Sequence, residues 1–109
     1  TGAFIALALA MKKLKKKKLI EEIPIRDFVS AVSVGIINGK NCLDLDYSED
    51  SEADVDLNVV KTGKGGFVEI QGTAEREPFT DKQMRDMLTL ADKGIKELVA
   101  IQKKAVGTF

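Results

Sequence analysis

LDLDYSEDSEADVDLNVV, residues 43–60, carries seven carboxylates, two of them glutamates, and no basic residue. An acidic loop, Tyr47 to Glu52, separates two segments in which apolar and polar residues alternate. In the first, Leu43 and Leu45 alternate with Asp44 and Asp46. In the second, Val55, Leu57 and Val59 alternate with Asp54, Asp56 and Asn58. Strand side chains point to opposite faces with period two, so Asp54, Asp56 and Asn58 share one face. A loop folding back on that strand brings Asp50 near Asp56. Carboxylates that close repel unless a cation or a proton lies between them. Oxygen donors gathered in this way suit a hard ion such as magnesium. Asp is also a frequent turn residue for local reasons, and the spacing lacks the glycine and closing glutamate of a calcium loop. From the residues alone, the stretch is either a structural turn or a metal site.

Outward from this stretch, the pattern is that of a small α+β domain. A chain of 109 residues supports one core. Phe28 to Ile37 is rich in β-branched and small residues and reads as a strand, with Gly35 as a bulge position. Asn38-Gly39 is a strong hairpin signal joining it to Cys42–Asp46. After the acidic loop, a strand runs from about Asp54 to Thr62. Gly63, Gly65 and Gly66 then form a turn, because Lys64-Gly65-Gly66 lacks the spacing and Lys-Ser/Thr ending of a phosphate loop. Phe67 to Gln71 gives a fourth strand, which Gly72 is expected to break.

Helices flank the strands. Gly2 to Met11 is continuously apolar and rich in Ala and Leu, predicting a helix buried on most faces. It is too short to span a bilayer. Its positive charge follows the apolar run, unlike that of a secretory signal. The lysine run Lys12 to Lys18 suits a helix C-terminus, either as a solvated end or as a contact for RNA phosphates. Pro24 closes the connection that contains Glu21 and Glu22. Near the C-terminus, Thr80 and Gln83 have capping-box spacing. Met84, Met87, Leu88, Ala91, Ile95, Leu98, Val99 and Gln102 then fall on one helical face, expected to lie on the sheet.

Charge and special residues narrow the chemistry. Seventeen basic and 17 acidic residues cancel, so no global field recruits nucleic acid. With no histidine, neither a histidine base nor a histidine metal ligand is available. Cys42 is the single cysteine, which excludes an internal disulfide and suits a reducing cytoplasm.

The run AVSVGIINGKNCLDLDYSEDSEADVDLNVVKTGKGGFVEIQGTAEREPFT resembles the C-terminal half of the ribonuclease PH family, with LDLDYSEDSEADVD and VEIQGTAE its most specific parts. TGAFIALALA is similar to the helix after that family's phosphate-binding loop. The resemblance runs from Thr1 to about Ala105 and implies a ribosomal-protein-S5-domain-2-like fold. It makes residues 1–20 a helix belonging to the family's N-terminal half and residues 28–105 the C-terminal exoribonuclease domain. The family's reaction is phosphorolysis: inorganic phosphate attacks the terminal phosphodiester at an RNA 3′ end, here of transfer RNA precursors, and a nucleoside diphosphate leaves. By the same resemblance, Asp50 and Asp56 are the essential carboxylates and hold Mg2+ or Mn2+. Asp56 is the metal ligand or general acid, and Asp50 supports the metal or the attacking phosphate. Subunits of the family form a hexameric ring in the cytoplasm. The family's glycine-threonine-arginine loop falls just before Thr1, and Arg26, Arg76 and Arg85 match none of its phosphate-binding arginines. Two expectations follow: an enzyme half that works with its complement, or a non-catalytic fragment that folds and self-associates without activity of its own.

Overall fold

The computed structural model describes residues 1–107, apart from the side chain of Asp50. Helix α1 (Gly2–Lys16) leads into strands β1 (Val29–Ile37) and β2 (Lys40–Leu43). Short helix α2 (Tyr47–Glu52), strands β3 (Val55–Thr62) and β4 (Phe67–Ala74), and the long helix α3 (Asp81–Val106) follow. The strands form one antiparallel sheet in the order β2-β1-β3-β4. This is the expected α+β architecture, with α2 as an addition.

One face of the sheet makes the core. Val32, Val34 and Ile36 of β1 and Val55, Leu57 and Val59 of β3 pack against Met87, Ala91, Ile95 and Val99 of α3. The α3 residues recur at helical spacing, so a single stripe meets the alternate residues of two strands. Both halves of the predicted capping box form: Thr80 Oγ1 accepts from the Gln83 N–H at 3.1 Å, and Gln83 Oε1 accepts from the Thr80 N–H at 2.8 Å. Farther along the helix, buried Gln102 donates from Nε2 to the Val29 carbonyl at 2.8 Å, tying α3 to the start of β1. At Gly94 the helix nears β2, where an added Cβ would meet Leu43 Cδ1 at 2.9 Å.

Several sequence expectations need correction. Helix α1 is not buried on most faces: Ala8 is its one buried residue, and Leu7 and Leu9 are exposed. The sheet already receives α3, so α1 touches the rest through a narrow stripe, with Phe4 against Phe28 at 5.4 Å between ring centroids. The helix takes in the start of the lysine run, as expected, but ends at Lys16, short of residue 20. Gly35 is not a bulge, since its pairing with Cys42 and Asp56 is in register; the irregularity lies at Val60/Lys61 between β3 and β4. Gly72 does not break β4, which pairs through it to Ala74. Strand β2 ends at Leu43 because Asp44 adopts φ +61°. The Asn38-Gly39 turn is as expected, with both residues at positive φ (51° and 78°), as a type I′ hairpin requires.

Lys61 sits at the far end of the core face, 9% exposed. Its ammonium donates to Asp92 Oδ1 at 2.6 Å and lies 4.6 Å from the centroid of the Phe67 ring. Hydrogen bonds from Lys61 and then Lys96 hold the Asp92 carboxyl below its ordinary range. A carboxylate whose folded pKa is depressed adds stability that is complete above the unfolded value, about 3.9. That stability is lost as pH falls through the folded value. Asp92→Ala is therefore expected to destabilise the fold by roughly 1–3 kcal/mol at neutral pH, mostly by stranding the Lys61 ammonium. It should also shrink the stability difference between neutral pH and pH 3, measured by denaturant titration at both. An unchanged difference would contradict this role for the pair.

Candidate active site

The second face of β3 carries the candidate chemistry. Asp56 pairs across the sheet with Gly35 on β1 and Thr73 on β4, and Asn58 pairs with Ser33 and Gln71. With Val55, Leu57 and Val59 buried under α3, strand alternation turns Asp56 and Asn58 to the other side. Both sit on a central strand, held by ladder hydrogen bonds on either edge. An open cleft of about 300 Å³ lies over them, lined by Ser33, Leu45, Asp46, Tyr47, Asp56 and Asn58. Two of those six residues are carboxylates and none is basic.

The cleft's wall is built by the acidic stretch, not as a loop but as α2. After the positive φ of Asp44, the Asp44 N–H donates to the Ser33 carbonyl at 2.7 Å, which folds the chain back over β1. Leu45 then lies over Gly35: a Cβ on that glycine would meet the Leu45 Cδ1 at 2.7 Å and the Val55 carbonyl oxygen at 2.6 Å. Asp46 starts the helix. Its Oδ1 accepts from the Glu49 N–H and the Ser48 hydroxyl, each at 2.8 Å, while Glu49 Oε1 accepts from the Asp46 N–H at 3.3 Å. These bonds, the Glu49 N–H foremost, pull the Asp46 carboxyl below its usual range. Helix N-termini favour such acceptors, so Asp46 serves first as a cap.

The predicted site residues therefore separate. Asp56 faces the cleft and Asn58 stands beside it. Asp54 turns aside, its Oδ1 3.4 Å from Arg76 Nη1. Asp50 falls within α2, but its side chain, and so its approach to Asp56, lies outside the described residues. Among the described residues no group of three or more His, Cys, Asp or Glu is gathered for a metal. Asp56 and Asn58 offer hard oxygen donors, a set that suits magnesium, which binds through one or two carboxylates and keeps several waters. Sequence reasoning missed Ser33 and Tyr47 as cleft residues. Ser33 could have been found only from the β1–β3 register, and Tyr47 only from the fold-back at Asp44.

Residues 27–94 match the 3′ exoribonuclease family, domain 2. A ribonuclease PH from Syntrophomonas wolfei is 58% identical over 107 residues, covering 98% of this chain and 45% of that protein. Another, from Corynebacterium glutamicum, is 56% identical over 107 residues, covering 98% and 44%. The chain thus spans a little under half the length of these relatives. The solved structure of an Archaeoglobus fulgidus exosome with RNA bound to the active site matches with a TM-score of 0.61 and 20% identity. That match covers 80% of this chain and 35% of the other. At such identity the likeness concerns the fold.

The cleft wall depends on Gly35 having no side chain. Gly35→Ala must displace either the β3 backbone at Val55 or the Leu45 side chain, at a cost of roughly 1–3 kcal/mol. Thermal denaturation is expected to show the loss, and the amide signals of residues 45–49 should shift along with those of β3. An unchanged Tm and unmoved α2 signals would contradict the packing of Leu45 over Gly35.

Proposed function

The chain belongs to the 3′ exoribonuclease family through that family's second domain, and from that premise we propose that it is the acidic half of a phosphorolytic 3′→5′ exoribonuclease. On this reading, residues 1–20 are the helical segment that belongs to the family's N-terminal half, and residues 28–105 form the catalytic second domain. The observation that carries it is the placement of Asp56 and Asn58 on the solvent face of a buried central strand, under a cleft without basic residues. The substrate is the 3′ end of RNA, of transfer RNA precursors in the first instance, and inorganic phosphate is the co-substrate.

Phosphorolysis brings one anion against another, and it needs negative charge offset where it accumulates. Asp56 would hold Mg2+ or Mn2+ with Asn58 at its side and Asp50 in support. A bound divalent ion would supply charge neutralisation at the phosphates. The ribose 3′-oxygen must gain a proton as the terminal nucleotide leaves. Asp56, rigid on its strand, is the group in this chain placed to deliver that proton if it is not committed to the metal. Asp46 is tied to the α2 cap and contributes negative field to the cleft. None of Arg26, Arg76 and Arg85 lines the cleft, so the cationic donors for the attacking phosphate come from the complementary half. The single cysteine suits the cytoplasm as the site of action.

Two outcomes test this reading. In the complete enzyme, Asp56→Asn keeps the fold, because the side chain is isosteric, and lowers nucleoside diphosphate release from RNA by at least about a hundredfold, the loss typical of a single transition-state group. Full activity in that variant would remove Asp56 from the chemistry. Purified alone, the 109 residues are expected to self-associate as a homo-oligomer, since Leu7, Leu9, Val68 and Ile70 are exposed. Alone they should release no detectable diphosphate, and activity should return when the complementary half is added. In the complete enzyme the same surfaces would serve assembly into a hexameric ring. A monomeric, active chain in sedimentation and phosphorolysis assays would refute both statements.

A further inference from the structure

Two helix ends and most of the uncompensated positive charge meet at one corner of the molecule. Lys12 donates from Nζ to the carbonyl of Val106, and Gly107 packs beside the same ammonium. The C-terminal turns of α1 and α3 are thereby held together. Between Lys12 and Lys18 only Leu14 is not a lysine, and α3 adds Lys103 and Lys104, making eight lysines at this corner. Lys13, the four lysines from Lys15 to Lys18, and both α3 lysines are exposed. Among the described residues none of the eight takes part in an ion pair.

Helix capping does not account for this many charges. Each helix C-terminus carries about half a negative elementary charge, so the two together ask for about one lysine. Glu21 and Glu22, the first carboxylates after the run, offset two more. About five positive charges remain. Outside the eight lysines and these two glutamates, the chain is left with nine basic residues against 15 acidic ones. A polyanion whose end enters the cleft over Asp56 therefore meets a repelling body and one attractive corner. Screening acts over about 8 Å at physiological salt, so the corner draws in whichever part of the polyanion runs past it.

We propose that this corner is a docking surface for the phosphate backbone of the upstream part of the RNA, separate from the cleft that takes its 3′ end. The proposal rests on the reading of the chain as an exoribonuclease half. Lysines that are solvated and lack carboxylate partners are free to displace counterions from a phosphate chain, which makes such binding steep in salt and indifferent to sequence. An anionic membrane is the poorer fit. Lipid docking needs an apolar face beside the lysines, whereas Leu14 is partly buried and, among the described residues, the largely exposed apolar side chains nearest the lysines in sequence are single positions, Leu19 beyond α1 and Ile101 on α3.

The test compares the complete enzyme with a variant carrying Lys15→Gln, Lys16→Gln, Lys17→Gln and Lys104→Gln. Phosphorolysis of a long RNA and of a tetranucleotide is measured across a potassium chloride series. For the long RNA, KM should rise about tenfold or more at physiological salt, and the slope of log affinity against log salt should fall by about 2–3. For the tetranucleotide, KM and kcat should not change. The matching Lys→Arg variant should keep the wild-type slope. An unchanged slope, an equal loss on the tetranucleotide, dissociation of the assembly in sedimentation, or preference for phosphatidylserine vesicles over RNA would each overturn the proposal. If the unsubstituted enzyme phosphorolyses no RNA, the exoribonuclease reading itself fails. Fluorescence anisotropy with the same long RNA would then still decide whether the lysine corner binds a phosphate backbone.

Discussion

Burial of Val55, Leu57 and Val59 beneath α3 is the constraint on which the remainder depends. Each such side chain contributes about 1.5–3 kcal/mol when taken out of water. Three together are comparable with the whole stability of a small domain, about 5–15 kcal/mol. A one-residue slip of β3 would carry all three to solvent and send Asp56 into the core. The core thus sets the direction of the acidic residues as firmly as it sets the fold. Placement follows from packing here: Asp56 lines the cleft because its neighbours Val55 and Leu57 are held in the core.

The acidic stretch also shows how one composition serves several purposes. Asp46 caps α2, Asp44 takes the left-handed turn that folds the chain back, and Asp54 approaches Arg76. Each has a local job that needs no ligand. Asp56 differs in standing on the central strand and lining the cleft with Asn58. Sorting the carboxylates by what holds them in place reduces a diffuse negative cluster to a defined position. The counterpart is the lysine corner of α1 and α3, where positive charge exceeds what the helix ends require. The neutral total conceals a strongly dipolar molecule.

Much of this was legible in the sequence. Alternation over residues 55–59 gave both faces of β3, although Asp54 leaves the pattern for Arg76; Asn38-Gly39 gave the hairpin, and Thr80 with Gln83 gave the start of α3. These signals are local, and the structure keeps them. Failures arose where a distant contact decides the outcome. Gly35 looks like a bulge until Leu45 is seen lying over it. Gly72 looks like a breaker until its pairing with Leu57 is known. The apolar start of the chain looks like a buried helix, yet a sheet face already covered by α3 leaves it a narrow stripe. The alternation at Leu43–Asp46 fails because one backbone angle at Asp44 reverses the chain. Family resemblance supplied what periodicity could not, namely the expectation that the reaction is phosphorolysis and that Asp50 and Asp56 are its carboxylates.

The central claim is that the polar face of β3 is where a divalent cation meets the substrate. Manganese binding, followed by electron paramagnetic resonance, reads that claim without relying on turnover. Titrating the complete enzyme and its Asp56→Asn variant with Mn2+ is predicted to show a tight site in the first and its loss in the second, with equal thermal stability. Tight binding of the same stoichiometry in both proteins would contradict the account.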